Sequence, residues 1–282
     1  MRMHSVKFFY CITIIYGVFI KSIFGQTPNV DSTKLIAGVL KTAVEYKSTV
    51  VVASNVIFPE SLASHREQAT GYIEKFSNKK RDFLLHTYKT GKKYFPKIVA
   101  VLERYQLPEE LKVLIALESG FKANAVSKAG AVGYWQIMDK VAKEYGLQII
   151  PAVNIETIKS EAKDDRKNFA KSTLAAAKYL RDRKRDLNND VLLMVASYNC
   201  GIGNVRSAIK KCGKPNPDFW DIKNFLPAET RNYVMNFIAL NVIFKNYEKF
   251  ANRQLLFAPK IIDIPVDASE KITIPFNDIR VD

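Results

Sequence analysis

Cysteine and histidine are almost missing from this chain, with three of each among 282 residues. Cys11 lies in an apolar segment near the N-terminus, which leaves Cys200 and Cys212. A disulfide-built scaffold is therefore excluded. The two could form one bridge in an oxidising compartment or stay as free thiols, because sequence does not give their separation. His4, His65 and His86 stand apart, and no Cys/His/Asp group has metal-ligand spacing. No metal and no cofactor is expected. Long apolar runs are also lacking after residue 20, so no later segment can span a bilayer. There is no internal repeat and no low-complexity tract. Acids are in short supply, at 28 Asp+Glu against 43 Lys+Arg, for a net charge of +15. Such an excess predicts attraction to an anionic partner and says nothing of fold.

One hydrophobic run is present. Arg2 and Lys7 precede an apolar stretch from Phe8 to Ile20, and Lys21-Ser22-Ile23-Phe24-Gly25 follows. This is the pattern of a secretory signal peptide, with cleavage expected after Gly25. Removing residues 1–25 takes away Arg2, Lys7 and Lys21 and no acid, which lowers the charge from +15 to +12. Export argues against nucleic acid as partner. A cell-wall polymer fits the compartment better, and peripheral contact with a membrane surface is compatible with the charge. The mature protein is expected to be periplasmic or envelope-associated, with no obligate protein partner.

Periodicity predicts a mainly α fold. Helices are expected at Thr33–Tyr46, 60–77, 79–90, 93–105, Asp139–Tyr145, Phe169–Arg185, 203–211 and 228–248, with Pro59 and Gly91 as punctuation. Val191–Ser197 reads as a strand or a buried helix. Ile261–Val266 and Ile272–Pro275 are β-branched and proline-punctuated, as in an extended tail or a small hairpin. The expected division is a signal peptide (1–25), an N-terminal helical extension (26–94), a catalytic domain (95–250) and a C-terminal tail (251–282).

Glu118 is the chemically informative residue. Leu111, Leu114, Ile115 and Glu118 recur at helical spacing after Pro108, and a glycine-bearing loop, Gly130–Met138, follows. If the carboxyl shares the buried face, desolvation and the negative helix end both raise its pKa, which suits a general acid near neutral pH. A last-turn glutamate rotated into water is the alternative.

Three further stretches accompany it in order: Gly130-Ala131-Val132-Gly133-Tyr134-Trp135-Gln136-Ile137-Met138, then Ala196-Ser197-Tyr198-Asn199-Cys200-Gly201-Ile202-Gly203, then Glu229-Thr230-Arg231-Asn232-Tyr233-Val234. With Glu118-Ser119-Gly120-Phe121, this order resembles the lytic transglycosylases with a goose-lysozyme-like SLT catalytic domain, most of all the membrane-bound D type. The resemblance spans roughly Phe95 to Tyr247. Cys200 departs from the family's usual alanine, and residues 251–282 are too short for the LysM repeats that often follow. Glycan retention is then expected to rest on the groove and the basic surface.

The resemblance implies cleavage of the β-1,4 bond between N-acetylmuramic acid and N-acetylglucosamine in peptidoglycan. The muramyl 6-hydroxyl attacks its own anomeric carbon, leaving a 1,6-anhydro sugar. Glu118 matches the single acid/base, and a nucleophile within the substrate replaces the second carboxylate of ordinary glycosidases. Ser127 and Gln136 match sugar-contacting positions, and Tyr198 matches a tyrosine facing the centre. Glu229 matches a positioning glutamate. Tyr134 and Met138 are assigned to the groove, whereas Trp135 reads as groove or core. Asn199 more often shapes a turn. A hydrolytic goose-type muramidase and a non-catalytic glycan-binding protein of the same fold are the competing readings. The Gly201-x-Gly203 pair after an apolar run is no dinucleotide site, since Arg206 stands where a third glycine is needed.

Overall fold

The computed structural model describes residues 47–150 and 163–265. The expected signal peptide, the helix at Thr33–Tyr46 and the segment Ile272–Pro275 lie outside the described residues. Strand β1 (Lys47–Val52) leads to a 3-10 turn at Glu60–His65, then α1 (Arg66–Lys79), α2 (Arg81–Gly91) and α3 (Phe95–Arg104). Helix α1 buries Ala69, Ile73 and Ser77, each four residues on, and α3 buries Phe95, Ile98 and Leu102. Each helix thus turns one apolar face inward. A second 3-10 turn, Glu109–Val113, runs directly into the short α4 (Leu114–Glu118).

Helix α5 (Asp139–Glu144) and β2 (Ile149–Ile150) come next, and β3 (Lys163–Asp164) pairs antiparallel with β2. Helix α6 (Phe169–Asp186) starts at Asn168, whose side chain accepts from Lys171 N at 3.1 Å. Helix α7 (Val191–Cys200) starts at Asp190, which accepts from Leu193 N at 2.9 Å. That cap, together with burial of every residue from Leu192 to Ser197, settles the ambiguous Val191–Ser197 run as helix. Then follow α8 (Ile202–Cys212), α9 (Phe219–Ile222), α10 (Ala228–Lys245), α11 (Tyr247–Ala251) and β4 (Lys260–Pro265).

Helix α10 is the axis of the core. Every residue from Phe237 to Phe244 is buried, as expected of a helix surrounded by others. Helices α1, α4 and α7 all pack against it. Residues 49–262 form one compact unit. No helix among the described residues is long and apolar enough to cross a membrane.

Two expectations are corrected. The run 60–77 is not one helix, because its first turn is 3-10 up to His65. The run 228–248 breaks at Asn246, whose side chain is used elsewhere. Its Nδ2 donates to Val242 O at 2.7 Å and Ile57 O at 2.6 Å, and its Oδ1 accepts from Ile57 N at 2.9 Å. The segment at 260–265 is extended, and β4 pairs with β1. The register is laced just inside the pair: Asn55 N donates to Leu256 O at 3.1 Å, Leu256 N to Asn55 Oδ1 at 2.9 Å, and Asn55 Nδ2 to Gln254 O at 2.9 Å.

Candidate active site

Glu118 closes α4, and Ser119 fastens that end. The Ser119 hydroxyl donates to Tyr134 O at 2.7 Å and accepts from Lys122 N at 3.2 Å. The helix terminus is thereby tied to the Gly130–Met138 loop. The neighbouring carbonyl, Trp135 O, is held from the other side by the Tyr198 hydroxyl at 2.8 Å. The loop itself is a tight bend in which Val132 and Ile137 exchange backbone hydrogen bonds at 3.1 and 3.2 Å. Gly133 sits at φ +83°, where a Cβ would come within 2.1 Å of Arg166 O. Its necessity comes from that close approach of backbone. Gly130 has φ +86° and open space around it. The Arg166 side chain is fixed by a forked pair with Asp164, at 2.9 and 2.7 Å.

The Glu118 side chain is partly buried, with its carboxyl deep in the protein. Burial pushes its pKa up to about 7, a donated hydrogen bond from Tyr233 pulls it down, and the charge of Glu229 pushes it further up. The Tyr233 hydroxyl donates to Oε1. Among the described residues Oε2 has no hydrogen-bond partner, so it is the oxygen free to exchange a proton with a ligand. Helix α4 has only five residues. The strong term is therefore burial, not the helix dipole. Burial, with Glu118 close by, also holds the phenols of Tyr198 and Tyr233 well above the usual tyrosine range, so both remain donors.

Glu229 is exposed in the first turn of α10, one helical turn before Tyr233. Asn199 accepts from the buried Thr230 hydroxyl at 2.8 Å, which joins the end of α7 to the start of α10. Gln136 has φ +48° and donates through Nε2 to Ala125 O and Gly133 O at 3.1 and 3.0 Å. Gln136, Met138 and Tyr198 line one small cavity with Tyr179, of about 70 Å³. Met138 is 43% exposed. Ser127 lies further out in its own turn, where Oγ accepts from Ala131 N at 3.0 Å. Tyr134 leans on Phe169 and Tyr94, with centroids at 5.4 and 6.0 Å, and does not line that cavity. Trp135 belongs to the core, 1% exposed, with Nε1 donating to Thr173 Oγ1 at 3.0 Å.

Tyr233 and Ser119 are the residues that sequence reasoning did not single out. Both stand inside the motifs quoted above, and the spacing of Glu229 and Tyr233 puts them on one helix face. Cys200 and Cys212 are free thiols, both partly exposed. Among the described residues no group of three or more His, Cys, Asp or Glu could hold a metal ion.

The helical body thus sets one carboxyl of raised pKa, with one oxygen unpartnered among the described residues, beside a glycine-bearing loop. Residues 97–220 match the transglycosylase SLT domain. The membrane-bound lytic murein transglycosylase D of Escherichia coli K12 is 32% identical over 190 residues, which is 67% of this chain. This chain spans only 38% of that relative's length. A putative tributyltin chloride resistance protein of Alteromonas sp. strain M-1 is 30% identical over 178 residues, covering 62% of this chain and 79% of that protein. The chain belongs to the transglycosylase SLT domain family. Among solved structures, an inactive mutant of the lytic transglycosylase Slt from Pseudomonas aeruginosa aligns over 58% of this chain and 25% of that one, with TM-score 0.43 and 22% identity. The 70 kDa soluble lytic transglycosylase of E. coli aligns over 56% and 25%, with TM-score 0.41 and 21% identity.

Proposed function

We propose that this protein is a peptidoglycan lytic transglycosylase with Glu118 as its only acid/base. The observation that carries this reading is the state of that carboxyl. It lies deep in the protein, its pKa is about 7, and Tyr233 occupies Oε1 while Oε2 has no protein partner. Near neutral pH the proton is present in about half the molecules and sits where a glycosidic oxygen can take it. Glu118 donates this proton as the bond from the muramyl anomeric carbon to the leaving oxygen breaks. The muramyl 6-hydroxyl oxygen then bonds to the anomeric carbon, and its proton returns to Glu118. No water is consumed and the enzyme ends as it began.

The other side chains act around that exchange. Tyr233 orients the carboxyl, and Glu229 keeps it protonated at higher pH by its charge. Gln136, Tyr198 and Met138 contact the sugar from their shared cavity, and Tyr134, Ser127 and Asn199 are assigned to the substrate groove outside that cavity. The natural substrate is the glycan strand of the cell wall, and the protein works exported, in the periplasm or on the envelope. The apolar Phe8–Ile20 segment, the net basic charge and the printed name of the E. coli relative support that location.

Mass spectrometry of products from purified peptidoglycan is the test. Fragments one water lighter than hydrolysis products are expected. Fragments with free reducing ends would make the protein a hydrolytic muramidase, and intact strands with retained binding would make it a non-catalytic glycan binder.

A further inference from the structure

A second site is built at the far end of α10. An open cleft of about 610 Å³ lies where the 3-10 turn at Glu60, the end of α2, the start of α3, the turn at Glu109–Val113 and the last turns of α10 meet. Asn241, in its wall, sits two helical turns beyond Tyr233, about 12 Å along the axis. Most of the lining lies outside residues 97–220.

Two largely buried lining side chains keep acceptors that no protein donor among the described residues fills. Glu110 is 9% exposed, and among the described residues it has no ion pair and no side-chain hydrogen bond. Asn241 is 4% exposed and donates through Nδ2 to Phe237 O at 3.0 Å, while its Oδ1 accepts nothing among the described residues. Both line the cleft, so each presents an acceptor with no protein donor to whatever enters it, and a cationic donor suits the pair. Beside them Phe95 and Phe244 give the cleft an apolar floor, a surface that also favours a cation with an aliphatic stem. At the mouth Lys92 and Lys245 are exposed, and among the described residues neither has a carboxylate within ion-pair distance. The rim also carries the exposed Glu60 and a Lys112–Glu109 pair, so Lys92 and Lys245 leave it cationic by one charge, above an acceptor-rich interior.

We propose that this cleft binds a peptide end carrying one ammonium and one carboxylate. The ammonium lies between Glu110 and Asn241 Oδ1, its aliphatic stem rests on Phe95 and Phe244, and the carboxylate meets Lys92 and Lys245. The site is separate from Glu118, and it stands whether or not the chemistry proposed there holds.

The probe is N-acetyl-alanyl-lysine, which has one side-chain ammonium and one carboxylate, titrated into the full chain by NMR or calorimetry. Saturable binding with a Kd on the order of 1 mM is expected. Acetylating the lysine amine, or amidating the C-terminus, should each weaken it about tenfold. Glu110→Gln should remove the preference for the free amine. Lys245→Glu, at an exposed position, should remove the preference for the free carboxylate without touching the fold. Absence of saturable binding overturns the proposal, and so does equal affinity for the free and blocked peptides. Should Glu110→Gln fail to fold, Lys245→Glu alone decides, and an unchanged preference in it also overturns the proposal.

Discussion

At Glu118 two neighbours pull the proton in opposite directions. The Tyr233 hydrogen bond favours the carboxylate and the Glu229 charge disfavours it, around a pKa of about 7. Since the proposed reaction starts from the protonated form, kcat/KM on soluble glycan strands should fall as pH rises through about 7. Tyr233→Phe should move that alkaline limb to higher pH, and Glu229→Gln should move it lower. A limb that stays put in both variants means that another group titrates. Glu118→Gln should lower turnover by about two to four orders of magnitude with the circular dichroism unchanged. The same substitution should stabilise the fold, with a definite sign. The folded pKa lies above the ordinary 4.5. The folded state therefore binds the proton more tightly, and stability is lost as pH rises between about 4.5 and 7. Below that window parent and variant should melt alike, whereas above it the variant should be more stable by up to about 3 kcal/mol. Thermal unfolding at pH 4 and pH 8 makes the comparison. Sequence placed Glu118 on a helix end and left its burial open, because periodicity gives a face and not what covers it. Tyr233 was hidden for the same reason: its donor role exists only once α10 is laid across α4.

The Gly130–Met138 loop shows what one element needs from another. Gly133 can hold φ +83° and lie against Arg166 O, and no other residue can do both. Gly133→Ala should destabilise the fold by about 2 kcal/mol or more, measured by chemical denaturation, and should loosen the carbonyls that Ser119 and Tyr198 grip. A loss under about 0.5 kcal/mol would mean that the Arg166 segment yields. Local spacing made α2, α3, α6 and α8 legible, since each buries a periodic face, whereas α7, buried without a break from Leu192 to Ser197, reads equally as a strand. The 3-10 turn at Glu60–His65 was not legible, because its apolar content is read equally well by a full helix. Ser127 likewise reads as a sugar contact by resemblance, whereas its hydroxyl is engaged in its own turn. A motif identifies positions and leaves open how each hydrogen bond is used.

On the scale of the whole molecule the least legible feature was the pairing of β1 with β4. No local rule finds a strand partner some two hundred residues away, and the β-branched pattern there was compatible with a tail or a hairpin. Yet that pairing, with the Asn55 and Asn246 hydrogen bonds beside it, brings the two flanks of the unit together. Paired strands lie about 4.8 Å apart. Between β1 and β4 the two ends of the compact unit thus meet one strand-width apart. The order in which its segments are threaded is then a matter of history, not of necessity. Joining Val52 to Lys260 by a short linker and opening the chain at the exposed Lys214–Asn216 should give a circular permutant that keeps the α10 core and melts within a few degrees of the parent. A permutant that does not fold would mean that one flank must dock before the other.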